Sequence, residues 1–156
     1  MTVRHILLDD ENPLHRELPI YRAGQVGTVR LDDSDYKVYA SIDISPHDLA
    51  ALFHYGVAEA LNALPFISES NNGLDSWDEA FLPSASIGGM LKIIDGCIEN
   101  IGSKSPERVM LGWQDDPVKI AYWRALDPDK AVGFLRKLRD FAVEAAEGGY
   151  DLEFIL

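Results

Sequence analysis

Two histidines, His47 and His54, have the residue type and spacing that most readily suggest chemistry. Seven residues is close to two helical turns, so on a helix both imidazoles lie along one line. Ala51 and Ala58 share that line and leave room beside the rings, while Asp43 and Asp48 stand close enough in sequence to orient or charge them. Two histidines and a carboxylate can form a metal site. The spacing argues against one here. Helical ligands that share an ion stand at i, i+3 or i, i+4, and at 1.5 Å per residue these two stand about 10 Å apart along the axis. No metal and no cofactor is expected. The ordinary reading is a pair of flank or surface histidines. The sharper one is a small-molecule or enzymatic pocket lined by Asp43, His47 and His54.

Nucleophilic catalysis finds less support. Cys97 falls among Ile94, Ile98 and Ile101, where a thiol behaves as a small apolar residue. No serine has the G-x-S-x-G context of a nucleophile elbow, and there is no phosphate loop, dinucleotide fingerprint or C-x-x-C pair. Asp32-Asp33-Ser34-Asp35 opens like a calcium loop, but the glycine and the bidentate acid that complete such a loop are missing downstream. It reads as a solvated turn, as does Asp115-Asp116 before Pro117. No catalytic residue is assigned.

The segment 65–83, PFISESNNGLDSWDEAFLP, sets Phe66, Trp77 and Phe81 among Glu69, Asp75, Asp78 and Glu79. Long irregular segments are often functional. Aromatic anchors ringed by acids suit a basic protein partner. The competing use is that these aromatics fold back over the core. The candidate partner-binding set is Glu69, Asp75, Trp77, Asp78, Glu79 and Phe81.

The elements that must position these groups follow from local pattern. Val26–Leu31 and Tyr36–Ile42 are rich in β-branched and aromatic residues and flank an Asp/Ser turn, which predicts a hairpin. Ile6–Leu8 and Ile20–Arg22 read as edge strands, with Pro13 and Pro19 breaking the segment between them. Ser45-Pro46-His47-Asp48 starts a helix, with serine as cap, proline at the first position and an acid in the first turn. Leu49, Phe53, Val57, Leu61 and Leu64 continue its apolar face up to Pro65. A second helix starts near Ser84 or Ser86 and ends at Gly102, and its glycines 88, 89 and 96 suggest close packing in the interior. Arg108–Trp113 and Val118–Arg124 predict a second hairpin, on which Tyr122 and Trp123 point to opposite faces. Asp127-Pro128 opens a third helix whose basic run Arg136, Lys137, Arg139 lies on a solvated face. Gly148-Gly149 stop it before a closing strand, Leu152–Leu156. The expected order is ββ(β)-α-α-ββ-α-β. That order describes a single α+β domain over residues 1–156, a mainly antiparallel sheet of five to six strands with three helices packed on one face.

Composition bounds the function. The chain has 156 residues, 26 acids against 14 bases, and a formal charge of −12. Residues 38–91 contain seven acids and no lysine or arginine at all. Such a surface repels nucleic acid and anionic membranes on average, so neither is an expected partner. A single cysteine excludes an internal disulfide and fits a reducing, cytoplasmic setting. No signal peptide or membrane-length apolar run is visible.

Two readings follow. The first is a non-enzymatic acidic interaction domain that presents its base-free segment to a basic protein. By size and charge, though by no motif, it is analogous to small bacterial immunity or antitoxin proteins that inhibit basic nucleases. The alternative is a small-molecule binder or enzyme at Asp43, His47 and His54.

Overall fold

The computed structural model describes residues 3–8, 18–31, 34–67 and 80–154. Within them the chain forms β1 (Arg4–Leu8), β2 (Leu18–Leu31), β3 (Ser34–Ile44), α1 (Pro46–His54), α2 (Val57–Leu61), β4 (Ala80–Leu82), α3 (Ile87–Gly102), β5 (Glu107–Gln114), β6 (Ile120–Leu126), α4 (Pro128–Gly148) and β7 (Asp151–Phe154). The α+β class holds, but the single sheet does not. The strands divide into a three-stranded sheet, β1-β6-β5, and a four-stranded sheet, β3-β2-β7-β4.

The local signals work where the partners are neighbours in sequence. β2 and β3 pair antiparallel from Leu31↔Ser34 outward, with a register shift between Tyr21 and Val26 that joins the expected edge strand into one long strand. β5 and β6 pair antiparallel, with a second shift between Met110 and Gly112. The correction lies in the long-range pairings. β1 runs parallel to β6, pairing Arg4 with Ile120 and Leu8 with Arg124. β7 inserts between β2 and β4. β4 itself falls inside the segment expected to be irregular. Hairpin patterns report loop-connected neighbours only, and both of these pairings close over more than sixty residues of chain.

The helix caps are as the sequence requires. The Ser45 hydroxyl accepts from Asp48 N–H at 3.2 Å, and the Asp127 carboxylate accepts from Asp129 N–H at 3.0 Å. α4 ends at Gly149, whose φ of 72° is left-handed backbone that glycine adopts without penalty. The helix expected through Leu64 instead breaks at Gly56, where φ is 75°. Four α-helices therefore stand among the described residues in place of three. The glycines of α3 are a further correction. Gly88, Gly89 and Gly96 are all solvent-exposed, and only Gly89 meets a neighbour, with Leu64 Cδ2 3.2 Å from where a Cβ would stand.

One core joins the layers. Ile44 of β3, Leu82 of β4, Leu126 of β6 and Leu152 of β7 are buried with Met90 and Ile94 of α3 and with Leu135, Leu138 and Ala142 of α4. The helices contact both sheets, α1 against β6 and α4 against β3 and β7. Among the described residues, no helix is long and apolar enough to cross a membrane.

Candidate functional site

α1 carries both histidines, but the fold assigns them different surroundings. His47 is 4% exposed. Its Nε2 accepts the backbone N–H of Asp127 at 3.1 Å, so the ring proton sits on Nδ1 and is donated to Asp48 Oδ1 at 3.0 Å. Both ring nitrogens are thus engaged, and the imidazole ties the start of α1 to the junction of β6 and α4. His54, at the other end of α1, is exposed and donates from Nε2 to Glu107 Oε1 of β5 at 2.7 Å. Its ring meets Tyr55 edge-on, with centroids 5.1 Å apart. Among the described residues, the buried Tyr55 hydroxyl has no hydrogen-bond partner. Burial, and then the charges of Glu107 and Asp127, raise its pKa above the ordinary 10.0.

A cleft of about 590 Å³ opens beside this junction, lined by His47, Pro106, Glu107, Arg108, Asp127 and Lys130 together with Ala125 and Leu126. It takes in His47 but reaches His54 only through Glu107. Asp43 is exposed on β3, opposite Pro19 in the register, and does not line it. The three residues of the expected pocket are therefore not gathered around one cavity. Among the described residues, no group of three or more His, Cys, Asp or Glu is arranged to hold a metal ion.

Of the expected partner-binding set, Glu69, Asp75, Trp77, Asp78 and Glu79 lie outside the described residues. Phe81 is half-buried in β4 and forms both backbone hydrogen bonds of a bridge with Ile67, at 2.8 and 2.9 Å. This bridge joins the two ends of the segment. Ile67 is 62% exposed. Cys97 is half-buried against the core, and burial raises its thiol pKa above 9.0.

Local patterns did not bring together the residues of the outer face of the three-stranded sheet. The strand alternation sends Ile120, Arg124 and Leu126 of β6 inward, where all three are buried. The register then gathers on the opposite face His5 and Leu7 of β1, Trp123 and Ala125 of β6 with Ala121 buried beneath its neighbours, and Arg108, Met110 and Trp113 of β5. These eight residues include no carboxylate, in a chain that carries twelve net negative charges. Leu7 is 52% exposed, Met110 53% and Trp113 49%. Trp123 Nε1–H donates to His5 Nδ1 at 3.0 Å from the central strand β6 to its neighbour β1, and Trp113 Nε1–H donates to Asp115 Oδ1 at 2.8 Å. The alternation around Trp113, Tyr122 and Trp123 was the available signal. The missing part was β1, which local patterning does not bring to β6.

In comparisons with known proteins, no family model, no curated protein and no solved structure matches this chain.

Proposed function

We propose that this chain is a non-enzymatic interaction domain that docks a basic protein through the outer face of β1-β6-β5. One observation carries the reading: the eight residues gathered on the face are apolar, aromatic or basic and include no acid, on a strongly acidic chain, with Asp115 meeting the face only through its bond to Trp113. Tryptophan, methionine and arginine are the residues that interface cores favour, and charged side chains are depleted there. The surplus acid elsewhere attracts a positively charged partner and speeds encounter, while the apolar face supplies the contact that lasts. An inhibitor of the immunity or antitoxin type combines size and charge in this way. The base-free stretch 38–91, with Trp77, Asp78 and Glu79 in its acidic segment, is the second candidate of the proposal.

The test is capture of partners by the wild-type chain and by two surface variants, at low and at moderate salt. The Met110→Asp/Trp113→Ala variant alters the sheet face, and Trp77→Ala/Asp78→Lys alters the acidic segment. The expected result is one basic protein held in stoichiometric amount by the wild type, released by salt and lost from the sheet-face variant. Equal retention by wild type and sheet-face variant refutes the assignment of the face. The absence of any retained basic protein refutes the function.

A further inference from the structure

At the β1 end of the same face, His5, Ile6, Leu7, Arg108 and Trp123 line an open pocket of about 320 Å³. This is at the lower end of the range for small-molecule sites. Its groups are arranged in a definite order. The Trp123 indole is held by its hydrogen bond to His5 Nδ1, and the two rings lie 6.1 Å apart at 46°. Because Nδ1 accepts, a neutral His5 carries its proton on Nε2 and has one N–H left to donate. The Arg108 guanidinium has no hydrogen-bond or ion-pair partner among the described residues. Leu7, on the same face of β1 as His5, supplies an apolar wall.

We propose that this pocket binds a small aromatic carboxylate. An indole face beside an aliphatic wall favours a flat ring, which gains from offset or edge contact beyond its buried area. A free guanidinium pairs with a carboxylate in bidentate fashion, and the His5 N–H is a second donor. With a single cation among the described residues that line the pocket, a monoanion is matched and a dianion is not. The chain's net charge of −12 adds to the penalty on a second negative charge. The surrounding field is screened over roughly 8 Å at physiological salt, so the contact with Arg108 decides at short range. The acid next to Arg108 in sequence, Glu107, is engaged by His54, and strand alternation turns it to the other side of β5. The titration uses the chain alone with small probes, so its outcome is read separately from capture of a basic protein.

The experiment is a titration of the full chain, followed by the indole N–H resonance of Trp123, which a Trp123→Phe variant identifies. Indole-3-acetate is the probe for a free ligand and Gly-Gly-Gly-Trp the probe for the end of a polypeptide. Indole-3-ethylamine, with the charge reversed, and cyclohexane carboxylate, without the aromatic ring, are the controls. The expected result is a saturable shift with at least one of the two carboxylate probes, and weaker or no binding by both controls. Whichever probe binds more tightly identifies the source. Arg108→Gln alters an exposed side chain and should weaken binding at least about tenfold, with the shape of the spectrum unchanged. Three outcomes would overturn the proposal. These are no saturable shift with either probe, equal binding of the amine, and unchanged affinity in Arg108→Gln.

Discussion

Replacing His47 with alanine separates a structural histidine from a catalytic one. The imidazole is buried, and its Nε2 is the acceptor for Asp127 N–H. Alanine removes that acceptor at the point where α4 begins. The bond is only part-buried, so losing its acceptor costs toward the lower end of the roughly 1–3 kcal/mol of a buried unsatisfied donor, and the lost burial of the ring and of its bond to Asp48 adds about 1 kcal/mol or more. The expected loss is therefore roughly 2–4 kcal/mol, which for a chain of this length lowers the midpoint of thermal unfolding by roughly 5–15 °C. Glutamine can place an amide oxygen near the position of Nε2, so His47→Gln should recover about half of the loss. His54→Ala is the internal control. Its bond to Glu107 joins side chains that are 37% and 47% exposed, and such pairs contribute below about 1 kcal/mol. Urea unfolding at pH 7, followed by circular dichroism, measures all three variants. If His47→Ala lies within about 0.5 kcal/mol of wild type, or if glutamine does no better than alanine, the tie between α1 and α4 is not what holds this junction.

Four further outcomes follow from the geometry. Gly149→Ala and Gly56→Ala each place a side chain at a φ above 70° with open space around it. Each should therefore cost about 1–2 kcal/mol from backbone strain alone, read as a lower unfolding midpoint. The Tyr55 pKa is raised in the folded state, chiefly by burial. Its contribution to stability is thus complete below pH 10 and lost as the pH rises through the folded value. Tyr55→Phe should remove this alkaline loss and be neutral or stabilising at pH 7, since the buried hydroxyl has no partner among the described residues, and urea midpoints from pH 7 to 11 check both parts. The raised pKa of Cys97 reduces its thiolate at pH 8, so iodoacetamide should react more slowly with the native chain than with the urea-unfolded chain, and equal rates would contradict its burial. Deleting residues 151–156 removes a strand paired on both sides, with Leu152 fully buried, and the shortened chain should show no cooperative unfolding transition.

What the sequence by itself determined is local. Ser45-Pro46 and Asp127-Pro128 specify helix starts because a side-chain oxygen three or two residues from an amide, and a proline at the first position, satisfy the helix end without help from elsewhere. The two hairpins were legible because their turns lie between the strands they join. The apolar pattern of α3, Ile87, Met90, Leu91, Ile94, Ile98 and Ile101, was legible in the sequence; four of the six are buried, and Leu91 and Ile98 are partly buried against the same core. Tertiary structure decided the rest. The break at Gly56 is a choice of backbone conformation that the apolar periodicity continues across. The parallel pairing of β1 with β6 and the insertion of β7 between β2 and β4 depend on closing long loops, whose cost and reward no short window of sequence contains. The candidate site divides in the same way. The spacing of His47 and His54 placed both on one short helix, but only packing made the first a buried acceptor for Asp127 and left the second at the surface. His5, Leu7, Arg108, Met110 and Trp123 come from three separate strands. They come to share one face only when the sheet register aligns them, because alternation decides which side of a strand a residue takes and pairing decides which residues share it.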